Sequence, residues 1–379
     1  MEEKGLYIHI PFCLAKCDYC DFFSVPCKSG IISDDYVKAL LAEIKFYAEK
    51  YNVSSWRTVY FGGGTPGLLS CSQIDFLMKG IRESVPFFNP LEVTIECNPE
   101  SITEEKLLCW EKNAIDRLSL GVQSLTQSAL EGVHRHCTAE KAEKSLSLIK
   151  KNWKGRLCLD VIAGLEFQND EEFIQSLEKI VSYNPSHISL YALTVEENTP
   201  LGKRAAAGDF DFDRIDFQWL KGRDFLKSKG YFQYEVSNFC KKGFESIHNS
   251  SYWQQMDYIG AGSGGCSSVY GENALRWTNT CNIDAYVDFW KKSSCRTLEE
   301  EIPCEREKLS LEVQEYEFLM TGFRTLKGVS SADYMKKFHD AGKWNGSLEK
   351  RLGESSVWKD FAEKGYASCS GERYFLTEE

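Results

Sequence analysis

Three cysteines near the start of the chain, Cys13, Cys17 and Cys20, stand in the spacing C-x3-C-x2-C within "GLYIHIPFCLAKCDYCDFFSVP", a stretch with no fourth thiol. Four cysteine ligands suit a structural metal or a cluster used for electron transfer alone. A loop with three brings three thiolates to one small polynuclear centre. In a cubane 4Fe-4S cluster this leaves one iron without a protein ligand, free to take an exchangeable one. On spacing alone two other readings stay open: a zinc site completed by His9, four residues before Cys13, or three free thiols in a loop.

A second group of residues bears on that choice. "FGGGTPG" (61–67) follows an apolar run, as a glycine turn does where a ligand must come close to the backbone. It lacks the Gly-Lys-Ser/Thr ending of a nucleoside-triphosphate loop, and taken alone it also reads as a tight strand-to-helix connection. Combined with the cysteines and with the carboxylates Glu96 and Asp160, it points to a small charged organic ligand beside a cluster.

The elements that must position these groups alternate. "GLYIHI", then 58–64, 91–99, 117–123, 155–165 and 185–195 read as buried strands. Helical patterns lie between them at 34–52, 71–85, 103–113, 138–152 and 170–184; in the last, Phe173, Leu177, Ile180 and Val181 fall at helical spacing. Six β-α units predict an α/β fold, a parallel sheet with helices outside, open or partly closed as a barrel. In such folds reactive groups gather at the carboxyl ends of the strands, which is where the cysteines, the glycines, Glu96, Gln123 and Asp160 fall. Further on, a helix is predicted at 212–230, a strand at 231–239, and a loop through "IHNSSYWQQMDYIGAGSGG". From about 298 to 326 the chain reads as charged and helical, opening a small C-terminal domain.

A chain of 379 residues can bury a large core, and 42% hydrophobic with 27% charged residues is globular. The formal net charge of −11 argues against a nucleic-acid backbone as main partner. The opening "MEEKG" is polar and "LYIHIPF" is too short for a membrane span or a secretory segment. Of fifteen cysteines, most, such as Cys71, Cys97, Cys109 and Cys158, are scattered singly, as buried thiols are in a reducing compartment. The expected location is the cytoplasm.

These residues resemble the radical S-adenosylmethionine (SAM) enzymes. "YIHIPFCLAKCDYCDF", "FGGGTP", "IECNPE" and "SLGVQS" are similar to the branch that holds the oxygen-independent coproporphyrinogen III oxidases and the HemW group of heme chaperones. The likeness runs from about residue 5 to beyond 330. It implies a partial (β/α)6 radical SAM barrel over 1–235, an extension over 236–300, and a smaller, mainly helical domain over 301–379. It implies that Cys13, Cys17 and Cys20 hold a 4Fe-4S cluster. Tyr7 and Tyr19 would line the SAM site, with Gly63, Gly64 and Thr65 on the methionine part. Glu96, Gln123, Arg135 and Asp160 would hold its remaining groups, and Ala192 would pack against the adenine. The plain alternatives are a surface role for Arg135 and a turn cap for Asp160.

Within the branch, the oxidases carry a further cysteine two places after the third cluster ligand, where this chain has Phe22, and a longer segment before the motif. "HNSSYW" (248–253) matches the heme-associated H-N-x-x-Y-W signature of the HemW group, so His248, Tyr252 and Trp253 become candidate heme contacts. Without C-x-x-C-H, covalent heme attachment is not indicated. The chain departs from the group at Cys266 and Cys137, where histidines are usual, and in "AGLE" around Gly164. Cys266 is thereby a second candidate for the heme iron. The implied function is a heme chaperone that passes heme to an acceptor, respiratory or membrane-associated. The alternative is a radical SAM enzyme that oxidatively decarboxylates a porphyrinogen, which would need an electron donor.

Overall fold

The computed structural model describes residues 2–208, 210–292, 302–338 and 346–377. Six strands form its centre: β1 (Glu2–Ile10), β2 (Val53–Gly63), β3 (Glu92–Cys97), β4 (Arg117–Gln123), β5 (Arg156–Ala163) and β6 (His187–Ala192). They lie side by side in chain order and all run parallel. Helices α1 (Asp34–Lys50), α2 (Cys71–Glu83), α3 (Glu104–Lys112), α4 (Ala139–Asn152) and α5 (Asp170–Ser182) make the crossovers. This is the parallel sheet with outer helices expected from the repeating pattern, and the partial (β/α)6 barrel that the resemblance implies. Side chains that start helices sit just after the strands: Ser70 with Gln73, and Asn169 with Glu172, each close a capping box.

Alternation along the strands sorts the two faces. Leu6, Ile8, Val59, Phe61, Val93, Ile95, Leu118, Leu120, Leu159 and Leu190 are fully buried or nearly so against the helices. The opposite face carries Tyr7, His9, Tyr60, Glu92, Thr94, Glu96, Arg117, Ser119, Cys158, Asp160 and His187. A polar concave face is costly to bury without partners, and among the described residues Thr94 Oγ1 and Arg117 Nη1 on it have none.

Beyond β6 the structure departs from the sequence reading in three places. The strand expected at 231–239 is a hairpin of two short strands, β7 (Phe232–Gln233) and β8 (Asn238–Cys240), turned at Glu235 and paired antiparallel to β6. The loop expected around "HNSSYW" contains a helix, α6 (Ile247–Trp253), followed by β9 (Tyr258–Ala261), which joins β1 in parallel. The charged, helical stretch expected from 298 contains a strand, β12 (Cys304–Lys308), its residues 298–301 lying outside those described. With β10 (Cys266–Val269) and β11 (Leu275–Asn279), β12 extends the sheet, giving the order β12-β11-β10-β9-β1-β2-β3-β4-β5-β6-β8-β7. Its exposed Glu305, Arg306, Glu307 and Lys308 read as a helix surface but suit an edge strand, where charge deters pairing with another chain.

Among the described residues, the C-terminal part builds a separate small core from Phe318, Tyr334, Phe338, Leu348 and Leu352, with four helices and a three-stranded sheet. Among the described residues, no helix is long and apolar enough to cross a membrane.

Candidate functional site

The three cysteines occupy the segment that leaves β1, half-buried at the carboxyl rim. That segment is fastened at several points. Val25 N–H donates to Pro11 O at 2.7 Å and Cys27 N–H to Cys13 O at 2.6 Å. Asp18, nearly buried, accepts from His134 Nδ1 at 2.8 Å and from Arg204 Nη1, whose other nitrogen donates to Gly132 O at 3.0 Å.

The thiols are also tied to the strand ends by a hydrogen-bond relay. Arg135 Nη2 donates to Asn98 Oδ1 at 2.9 Å, and Asn98 Nδ2 to Thr65 Oγ1 at 3.1 Å. Thr65 Oγ1 then donates to Cys13 Sγ at 3.5 Å. Arg135 Nη1 reaches Cys17 Sγ at 3.6 Å and Tyr19 Oη at 3.2 Å. One buried guanidinium thus faces one thiol directly and a second through two side chains. Burial pushes the Cys13 thiol up, and the Thr65 hydroxyl opposes this. Such donors favour thiolates, the form that ligates metal.

The glycine turn makes room beside them. A Cβ on Gly64 would lie 2.8 Å from Phe12 O and 2.9 Å from Cys13 Sγ, and one on Gly63, at φ +108°, would lie 2.7 Å from the His9 ring. Only glycine fits this approach.

Among the described residues, two buried polar atoms nearby, Gln123 Oε1 and Arg135 Nε, have no partner. A Cβ on Gly121 would meet Gln123, Arg135 and Asn98 within 3.2 Å, so these side chains crowd one spot at the end of β4. Gln123 also holds a left-handed backbone at φ 66°. Strain and orphaned polar atoms at a strand end are what a missing polar ligand would explain. The residues present fit the amino-acid part of SAM beside a cluster.

The zinc reading fits less well. His9 Nδ1 lies 2.9 Å from Tyr7 Oη and its Nε2 3.1 Å from Phe23 O, so both ring nitrogens are engaged. Among the described residues no three His, Cys, Asp or Glu side chains are gathered for a single ion. Cysteines of a polynuclear cluster bind different irons and need no such convergence.

The carboxylates Glu96 and Asp160 lie on the same face of the sheet, near its carboxyl rim. Glu96 accepts from Tyr60 Oη at 2.6 Å and from Gly63 N–H at 3.2 Å. Burial lifts its carboxyl to about 7, with Asp160 adding to the rise and the Tyr60 bond opposing it. Asp160 accepts from Ser119 Oγ at 3.2 Å and is likewise raised by burial. Tyr7 stacks on Tyr60 at 6.1 Å. Ala192 ends β6 exposed, paired with Ala163. Asn98, Tyr60 and Arg204 were not singled out from sequence. Asn98 lies inside "IECNPE", but nothing local marks it as the bridge between Thr65 and Arg135.

The H-N-x-x-Y-W segment adjoins this group, with the His248 ring 4.8 Å from Tyr60 and 6.5 Å from Tyr7. The start of α6 is capped by Ser246 and by Glu92, whose carboxylate accepts the N–H groups of Ile247 at 3.0 Å and His248 at 3.2 Å. His248 is 1% exposed. Its Nδ1 lies 2.8 Å from Thr58 Oγ1 and its Nε2 2.8 Å from Tyr252 Oη, so both nitrogens are committed. Its ring stacks on Tyr60 at 4.8 Å, and burial lowers it to about 4, keeping it neutral. Trp253 carries the Arg324 guanidinium over its ring at 4.7 Å, joining α6 to the C-terminal part. Cys266 is half-buried, its Sγ 3.8 Å from the donating Tyr258 hydroxyl, and Tyr258 meets Tyr252 edge to face at 4.7 Å.

Residues 7–180 match the model of the radical SAM superfamily. The chain is 32% identical over 340 residues to the heme chaperone HemW of Escherichia coli K12, covering 88% of this chain and 86% of that protein. It is 31% identical over 358 residues to the protein of the same name from Lactococcus lactis, covering 93% and 88%. A solved structure of coproporphyrinogen III oxidase (HemN) from E. coli, described as a radical SAM enzyme, superposes with a TM-score of 0.81 at 20% identity, covering 99% of this chain and 86% of that one. That likeness establishes the fold.

Proposed function

Because the chain belongs to the HemW family of heme chaperones, within the radical SAM superfamily, we propose that it binds heme and passes it to an acceptor protein, carrying a 4Fe-4S cluster with exchangeable SAM. The observation that carries the cofactor half is the relay from Arg135 through Asn98 and Thr65 to Cys13, with its branch to Cys17. Cys13, Cys17 and Cys20 would hold the cluster, which supplies an iron open to the amino and carboxylate groups of SAM.

The chain's own residues do the rest. Gly63 and Gly64 clear the backbone for the ligand, and Thr65 orients Cys13. Glu96 accepts from the ligand's amino group, and Gln123 Oε1 and Arg135 Nε take partners they lack in the protein alone. Tyr7 and Tyr19 wall the site, Asp160 faces the sugar side, and Ala192 meets the base. Residues 1–235 carry this site, 236–300 the heme-motif region, and 301–379 a further unit. The working compartment is the cytoplasm, and the acceptor is a heme-using protein.

For the heme iron, Cys266 is the more open of two ligands, half-buried where His248 is enclosed. His248 would ligate only after Tyr252 Oη releases its Nε2. Tyr252 and Tyr258 offer apolar ring surface between them.

The test is anaerobic. Wild-type protein and a Cys13→Ala, Cys17→Ala, Cys20→Ala variant are reconstituted, and iron and sulfide are measured. Loaded wild type is then mixed with SAM, a strong reductant and coproporphyrinogen III. Iron and sulfide in the wild type alone, with no decarboxylated porphyrin, support the chaperone reading. Decarboxylated product means the protein is an oxidase, and iron retained by the triple variant removes these cysteines from the site.

A further inference from the structure

A glycine-rich turn, Gly262–Gly265 in "GAGSGG", follows β9 and packs against both ends of the cluster-bearing segment. Gly262, at φ +108°, stands so close to β1 that a Cβ there would lie 2.4 Å from His9 O. Gly264, at φ +77°, would put a Cβ 2.6 Å from the Phe23 ring. His9 precedes the three cysteines and Phe23 follows them, and His9 Nε2 meets Phe23 O at 3.1 Å. The turn therefore backs the point where the segment leaves the sheet and the point where it returns.

Two side chains of α1 hold the turn in place. Tyr36 Oη donates to His9 O at 2.9 Å and accepts from Ser263 N–H at 3.1 Å. Glu43, seven residues on and on the same helix face, is fully buried. Its carboxylate accepts from Gly262 N–H at 2.8 Å, from Asn279 Nδ2 at 2.7 Å and from Tyr286 Oη at 2.5 Å. The same Asn279 amide donates to Gly262 O at 2.9 Å. A buried carboxylate held by three neutral donors is an expensive way to fill a core, since apolar packing there would avoid the desolvation cost. Here the expense orders one turn.

We infer that Glu43 is a positioning residue, clamping the Gly262–Gly265 turn and through it fixing the two ends of the segment that presents Cys13, Cys17 and Cys20. This rests on the reading of those cysteines as cluster ligands. The clamp also ties β11 and the helix Ile283–Lys292, which carries Tyr286, to the cluster side of the sheet.

The full-length chain tests this with Glu43→Ala and Tyr36→Phe, and with Phe318→Leu in the C-terminal core as a stability control. Lys16, exposed between Cys13 and Cys17, gives the first readout: the rate of tryptic cleavage after it in metal-free protein. The second is iron and sulfide bound on reconstitution. Glu43→Ala should speed cleavage after Lys16 at least fivefold and load less iron, Tyr36→Phe should move both the same way by less, and Phe318→Leu should move neither. Wild-type cleavage and loading in both clamp variants would overturn the inference. If Glu43→Ala does not fold, Tyr36→Phe decides alone. Cleavage is read without metal, so a chain that takes up no cluster would sink the cluster reading while the clamp is still judged.

Discussion

The Tyr60 hydroxyl donates to Glu96 Oε1 at 2.6 Å, and the backbone N–H of Gly63 reaches the other oxygen of the same carboxylate. The glycine turn and the end of β3 are thus joined by the group proposed to receive the amino end of SAM. With its carboxyl lifted to about 7 by burial, Glu96 changes charge near neutrality.

An ionised Glu96 accepts more strongly than its protonated form, so SAM affinity of the reconstituted protein should rise from pH 6 to pH 8 and then level. Glu96→Gln should bind SAM more weakly by roughly tenfold, the scale of one charge-assisted hydrogen bond of ~1.5 kcal/mol, with a flat profile. Equilibrium binding of SAM across that range checks both, and a variant profile as steep as wild type would remove Glu96 from the site.

His248 makes an acid-side prediction about stability. Its folded value near 4 lies below the ordinary 6.5, so the unfolded chain binds more protons between those values and stability falls as pH drops through them. Above pH 6.5 the ring is neutral in both states and the shift costs nothing, whereas below pH 4 it costs the wild type about 3 kcal/mol, at 1.36 kcal/mol for each pH unit. His248→Gln carries no such titration, so whatever deficit it shows against wild type at pH 7.5 should shrink towards pH 4.5. Urea unfolding of both proteins across this range reads the deficit directly. A deficit that does not change with pH would mean His248 is not held neutral in the folded chain.

Arg204 makes a prediction about the loop. Its guanidinium bonds Asp18, between Cys17 and Tyr19, and Gly132 O. Removing it leaves the Asp18 carboxylate with His134, while the Asp18 backbone keeps its bonds to Val133 O and Leu201 N–H. Arg204→Ala should open the segment locally by one or two kcal/mol, about 5- to 30-fold in population, seen as faster tryptic cleavage after Lys16 with little change in global stability. Unchanged cleavage would show that other contacts suffice to hold the loop.

Much of this was legible in the sequence for a physical reason. The parallel core announces itself through runs of Val, Ile and Leu separated by capped helices, because burial against helices imposes that pattern. The cysteine spacing and the glycine turn are local, so their placement at adjacent strand ends followed from the β-α repeat. What stayed hidden depends on distant partners. Helix Ile247–Trp253 is capped by Glu92, 155 residues away, and its seven residues carry no sign of that. The edge strand Cys304–Lys308 has the charge pattern of a helix surface, and only pairing with Leu275–Asn279 makes it a strand. Asn98 and Glu43 look like ordinary polar residues until the fold supplies Arg135 and Gly262 as neighbours. The H-N-x-x-Y-W motif marks His248 as a heme contact, while its burial and its bonds to Thr58 and Tyr252 are set by the fold.

Heme binding is the measurement closest to the central claim. Anaerobically reconstituted protein is titrated with heme and followed by absorption, alongside Cys266→Ser and His248→Gln. The account predicts a saturable spectral change near one heme per chain in the wild type, with an altered spectrum in the variant whose side chain ligates the iron. Absence of saturable binding by protein with an intact cluster would contradict it.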